Sequence, residues 1–132
     1  MTNSFQHLVI AENDPDDLLL LVDALNEVSP GIELKKILAG GELISALEEV
    51  EKPDAIFIDL YLPGKNGKQC LKEIRERHEF NNVQIIMLGG SHLQADVDYC
   101  LTNGANYFFT KPSSYKELVN IVDSICRQVR TS

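Results

Sequence analysis

Five short apolar runs recur along the chain, separated by amphipathic stretches. They are "HLVIA" at 7–11, "ELKKILA" at 33–39, "AIFID" at 55–59, "VQIIML" at 83–88 and "NYFFT" at 106–110. Four of them are nearly continuous in apolar residues. A strand with one wet face alternates, whereas a continuous run is covered on both faces. "ELKKILA" is more polar, which suits an edge strand. Strands of this kind alternating with helices predict an α/β fold built on a doubly wound, five-stranded parallel sheet. Right-handed crossovers leave few topologies, and a common strand order for five units is 2-1-3-4-5, with helices on both faces.

The intervening stretches carry helix signals. Asp14 is placed to cap a first helix, with Pro15 at its first position and Asp16 and Asp17 at its positive end. Leu18, Leu21, Val22 and Leu25 then form one face, which leaves Leu19 and Leu20 hard to bury. Asn66 caps a third helix with Leu71 and Ile74 inward. "SHLQ", Ser91 to Gln94, reads as a capping box before Val97, Cys100 and Leu101, and Gly104 as that helix's end. "SYKE", Ser114 to Glu117, is a second box, followed by Leu118, Val122, Ile125 and Val129 at helical spacing.

A chain of 132 residues is long enough for one domain with its own core. Its net charge of −8 argues against direct binding to nucleic acid. No apolar run approaches the ~20 residues of a membrane span, and the N-terminus lacks the pattern of a secretory signal. Cys70, Cys100 and Cys126 show no metal-ligand spacing and read as buried thiols of a reducing, cytoplasmic protein. His7, His78 and His92 show no ligand spacing either. "GKNGK", at 64–68, lacks the full phosphate-loop pattern and reads as a turn and a helix start.

In doubly wound sheets the site lies at the carboxyl ends of the strands, where the strand order reverses. After the first run come Glu12, Asn13 and Asp14; the third ends in Asp59, followed by "LYLPGKNG"; the fourth is followed by "GGS"; the fifth ends in Thr110, Lys111 and Pro112. Carboxylates from two neighbouring strands form an oxygen-rich edge suited to Mg²⁺. A carboxylate beside Mg²⁺ and a lysine is chemically equipped to accept a phosphoryl group.

On "ENDPDD", "FIDLYLPGKNG" and "FFTKP" together, the chain resembles the receiver domain of two-component response regulators, from about residue 6 to residue 130. The resemblance implies a flavodoxin-like receiver fold over one domain, 1–132. It implies that Asp59 accepts a phosphoryl group from a sensor histidine kinase or a histidine phosphotransfer protein. Glu12, Asn13, Asp59 and the backbone carbonyl of Tyr61 would then hold Mg²⁺, and Lys111 would pair with the phosphoryl group. The Lys111–Pro112 bond would be cis, and Phe108 would occupy the aromatic switch position. Catalysis would be limited to the protein's own phosphorylation and dephosphorylation. Output would pass by protein contact to a partner the sequence does not identify, from a stand-alone receiver. Homodimerisation through the fourth and fifth helices is a further arrangement found in the family.

Two residues depart from that pattern. Asn13 stands where the family usually has an acid, so Mg²⁺ affinity should be weak. Gly89 stands where the family has Thr or Ser, so no hydroxyl there can follow the phosphoryl group and coupling to Phe108 should be weak. These departures favour an alternative, an interaction module that signals without phosphorylation. A flavin- or nucleotide-binding protein of the same architecture would need a phosphate-binding loop that the acidic stretch after the first run does not provide.

Overall fold

Leu8 and Ile10 point to one face of their strand, Val9 and Ala11 to the other, and all four are almost wholly buried. This is why the run carries no polar alternation. The computed structural model describes residues 5–90 and 93–131. Its strands are β1 (His7–Ala11), β2 (Glu33–Ile37), β3 (Ala55–Asp59), β4 (Gln84–Gly89) and β5 (Tyr107–Thr110). Its helices are α1 (Pro15–Val28), α2 (Leu43–Glu49), α3 (Gly67–Arg75), α4 (Gln94–Thr102) and α5 (Tyr115–Thr131), with short 3₁₀ turns at Gly40–Glu42 and His78–Phe80. The sheet runs β2-β1-β3-β4-β5 and every pairing is parallel, the order expected. β2 is an edge strand, as its lysines require.

The sheet separates two cores. On one face Leu8, Ile10, Phe57, Ile86 and Phe109 pack against Leu21, Ala24 and Leu25 of α1 and Leu118, Val122 and Ile125 of α5. On the other, Val9, Ile56, Ile58, Ile85 and Met87 meet Leu43 and Leu47 of α2, Leu71 and Ile74 of α3, and Cys100 of α4. Each large side chain so buried contributes about 1.5–3 kcal/mol. Phe108 is partly buried against this second core.

Local chemistry sets the helix starts. Asp14 Oδ1 accepts from the backbone N–H groups of Asp16 (2.9 Å) and Asp17 (3.0 Å), with Pro15 opening α1. Asn66 and Gln69 form a reciprocal capping box on α3. Ser114 Oγ accepts from Glu117 N at 3.1 Å. The expected box at Ser91 lies outside the described residues; α4 begins at Gln94, with Leu93 in the capping position and no side-chain cap. Gly104, at φ 105°, follows the end of α4. Leu101 departs from expectation, being 48% exposed. α4 lies over the edge strand β5, so only a narrow line of its apolar face meets the core.

Candidate functional site

The carboxyl ends of β1, β3 and β5 bring three sequence-predicted residues together. Glu12 directly follows β1, and its N–H donates to Ile37 O of β2 at 3.0 Å. Asp59 is the last residue of β3, in register with Leu88 of β4. Lys111 directly follows β5, where its N–H donates to Gly89 O at 2.8 Å. These backbone bonds extend the ladder past the strand ends and fix where the side chains start.

The Lys111 ammonium lies 2.5 Å from Asp59 Oδ2, 2.7 Å from Asp17 Oδ2 and 2.8 Å from Glu12 Oε1. It is aligned for hydrogen bonding with the first two. Glu12 Oε1 is within ion-pair distance but off the line, and no hydrogen bond reaches this buried atom. Glu12 Oε2 accepts from Asp14 N at 3.1 Å, and Asp59 Oδ1 accepts from Tyr61 N at 2.8 Å. Glu12 and Asp59 are 2% and 5% exposed.

Three carboxylates around one ammonium leave the pocket negative. Burial strips water from Glu12 and, with Asp59 beside it, pushes its pKa up to about 7, against the opposing pull of Lys111 and the Asp14 N–H. Burial works against the charge of Lys111, but Asp17, Asp59 and Glu12 outweigh it and hold its pKa above the ordinary lysine value.

Asp17 is the residue that sequence reasoning assigned only to the helix end. It is 94 positions from Lys111, and no local pattern signals that pairing. Asn13 is exposed, and its Nδ2 donates to Leu38 O at 3.0 Å, tying the end of β1 to the segment after β2. Tyr61 is 62% exposed, at the rim. Gly89 is buried at the end of β4, its carbonyl taken by Lys111. Gly67 lies so close to β3 that a Cβ there would run into the Asp59 carbonyl oxygen, so the start of α3 rests directly on the site's backbone.

The expected cis Lys111–Pro112 bond is a correction: no peptide bond among the described residues is cis, so this one is trans. For an X–Pro bond the two isomers differ by only about 0.5–1 kcal/mol, so the residue pair alone does not dictate cis. The trans chain already delivers the Lys111 ammonium to its carboxylates.

A doubly wound sheet with buried carboxylates and a lysine at the carboxyl ends of its strands defines the class of site, and similarity to known proteins narrows it. Residues 8–123 match the family model described as the response regulator receiver domain, and the chain belongs to that family. The phosphate regulon transcriptional regulatory protein PhoB of Rhizobium meliloti (strain 1021) is 30% identical over 121 residues, covering 92% of this chain and 53% of PhoB. The chain therefore spans about half the length of that relative. Among solved structures, the phosphorylated cyanobacterial phytochrome response regulator RcpA superposes with a TM-score of 0.84 at 25% identity, over 91% of this chain and 90% of that one. The receiver domain of sensor histidine kinase PA1611 from Pseudomonas aeruginosa PAO1, with a magnesium ion coordinated in its active site cleft, gives 0.78 at 27% identity, over 96% and 98%.

Proposed function

We propose that this chain is a receiver that takes a phosphoryl group onto Asp59 from a histidine kinase or histidine phosphotransfer protein and signals by protein contact. The observation that carries the reading is the Lys111 ammonium held 2.5 Å from a buried Asp59 carboxylate at the switch point of the sheet. In the transfer, an Asp59 oxygen forms the new P–O bond as the donor's P–N bond breaks, and the electron pair of that bond stays on the departing imidazole. Lys111 carries positive charge to the phosphoryl oxygens, and burial keeps that interaction strong. Any catalysis is confined to transfer onto and off the chain's own Asp59, and residues 1–132 act as one receiver domain.

The donor chemistry fits Mg²⁺. Glu12 Oε1 is a buried oxygen with no hydrogen bond, Asp59 adds a second carboxylate, and the Tyr61 carbonyl is a third oxygen of the kind hard cations prefer. Among the described residues no cluster of three His, Cys, Asp or Glu is disposed as a metal cage. Mg²⁺ characteristically keeps several waters and uses one or two carboxylates, so two suffice. When bound, the ion neutralises charge on the transferring group. Asn13 contributes little, because its free oxygen, Oδ1, carries no charge; its Nδ2 is spent on Leu38 O.

That same tie, with the lack of a hydroxyl at Gly89, supports the second reading, an interaction module that works unphosphorylated. Intact mass after incubation with acetyl phosphate separates the two. The proposed function requires a Mg²⁺-dependent gain of one phosphoryl group, abolished in Asp59→Ala. No gain at millimolar Mg²⁺ would favour the interaction module.

A further inference from the structure

Asp17 does more at this site than helix capping explains. Asp16, one residue earlier, is exposed and complements the positive end of α1 equally well. Asp17 alone of the two reaches across to β5, where its Oδ2 accepts from the Lys111 ammonium at 2.7 Å.

The three contacts of that ammonium are unequal. Those to Asp17 and Asp59 are aligned hydrogen bonds. The contact to Glu12 is not, and it leaves Glu12 Oε1 without a hydrogen-bond partner. Lys111 is thus hydrogen-bonded on two sides and held on the third, at 2.8 Å, by charge attraction to an oxygen that has no aligned donor. That oxygen is where an oxygen-seeking cation has most to gain. The side chains also differ in depth: those of Glu12 and Asp59 are almost wholly buried, whereas that of Asp17 is 37% exposed. The two inner carboxylates belong to the metal-assisted reading given above, and the outer one does not. A divalent cation held by Glu12 and Asp59 would repel the ammonium from both carboxylates. Asp17, outside that pair, would then be its remaining acidic partner.

We propose that Asp17 is a positioning residue: it retains Lys111 at the outer wall of the pocket when a divalent cation takes Glu12 and Asp59, keeping the ammonium within reach of the group arriving on Asp59. Asp17 in this role both favours cation entry, by giving the displaced lysine a partner, and prevents Lys111 from swinging into solvent.

Calorimetric titration of the whole chain with MgCl₂ tests this, using wild type, Asp17→Asn, Asp16→Asn, Lys111→Met and the Asp17→Asn/Lys111→Met double variant. Asp17→Asn should weaken Mg²⁺ binding about tenfold. Asp16→Asn, the same charge change one residue away, should weaken it by less than about twofold. With Lys111 removed, the Asp17→Asn effect should shrink to that of Asp16→Asn, because the two residues act as one unit. Asp17→Glu should restore most of the affinity, which separates loss of the carboxylate from misfolding. Equal effects at positions 16 and 17, or an Asp17→Asn effect that persists without Lys111, would overturn the proposal. So would a wild type that binds no Mg²⁺ at millimolar concentration. A wild type that shows this binding pattern yet takes no phosphoryl group in the mass experiment would remove the proposed function and leave the role of Asp17 standing.

Discussion

Glu12 enters the fold as an acid that resists ionisation. Its folded pKa of about 7 exceeds the ordinary value of 4.5, so between those limits the folded protein binds a proton that the unfolded chain has released. Its contribution is fully present below about pH 4.5 and is lost as pH rises through 7. A shift of that size corresponds to a few kcal/mol. In metal-free buffer, the urea midpoint of Glu12→Gln should therefore fall less between pH 5 and pH 8 than that of wild type. Parallel behaviour of the two would show that Glu12 ionises freely. Asn13 gives a second prediction. Aspartate there cannot donate to Leu38 O, yet adds charge next to Glu12 at the strand end. Asn13→Asp should cost about 1 kcal/mol of metal-free stability while tightening Mg²⁺ binding, and these opposite signs are read by melting with EDTA or MgCl₂. Glu12, Asp59 and Lys111 were legible because each directly ends a strand run. The bond from Asn13 to Leu38 and the pairing of Asp17 were not, because each depends on which loops the sheet order brings together.

At the scale of elements, α4 is the helix with the thinnest anchorage. Cys100 is its one buried residue, and Leu93 and Leu101 are largely exposed. A side-chain tie to the body runs through Asp96, whose carboxylate lies 2.5 Å from the ammonium of Lys68 on α3. That ammonium also sits 5.1 Å from the centre of the Tyr99 ring. Lys68 follows Gly67, which rests on the Asp59 carbonyl, so α4 is fastened to the segment closest to the site. Lys68→Gln should accelerate amide exchange over Gln94–Thr102 by about fivefold and leave α1 and α5 unchanged. Unaltered exchange in α4 would show that Cys100 and the backbone suffice. Caps at Asp14 and Asn66 were legible from sequence because capping is settled within a few residues. The exposure of Leu101 was not, since periodicity shows that a face is apolar without showing how much of it a sheet edge covers.

Across the whole molecule, the doubly covered sheet was legible because continuous apolar runs survive only between two helical layers, and the strand order followed from the few topologies that right-handed crossovers allow. One tie at the far end of the sheet was not legible, because it is made by an arginine on a helix to segments distant in sequence. Arg75 projects from the end of α3 and is partly buried. Its Nε donates to Gly104 O at 2.9 Å, Nη1 to Phe80 O at 2.9 Å, and Nη2 to Val83 O at 2.8 Å and Asn106 Oδ1 at 3.0 Å. Asn106 Oδ1 also accepts from Ile85 N at 2.8 Å, so the network reaches β4. One guanidinium thus joins α3, the turn before β4 and the junction between α4 and β5. All four acceptors are neutral oxygens, and burial lowers the pKa of Arg75, so the residue is kept for its geometry and not for an ion pair. A lysine has its three donors on one nitrogen and cannot reach four oxygens spread over two segments. Arg75→Lys should cost about 3 kcal/mol, because it strands partly buried acceptors. For a domain of this size that lowers the melting temperature by on the order of 10 °C. The loss should persist at high salt, unlike that of a surface ion pair. Mg²⁺ affinity at 10 °C below the new midpoint should match wild type, since the pocket lies at the opposite ends of the strands. A melting temperature within a degree or two of wild type would mean that the carbonyls find water at no cost, and that the α4–β5 junction is held by its apolar contacts alone.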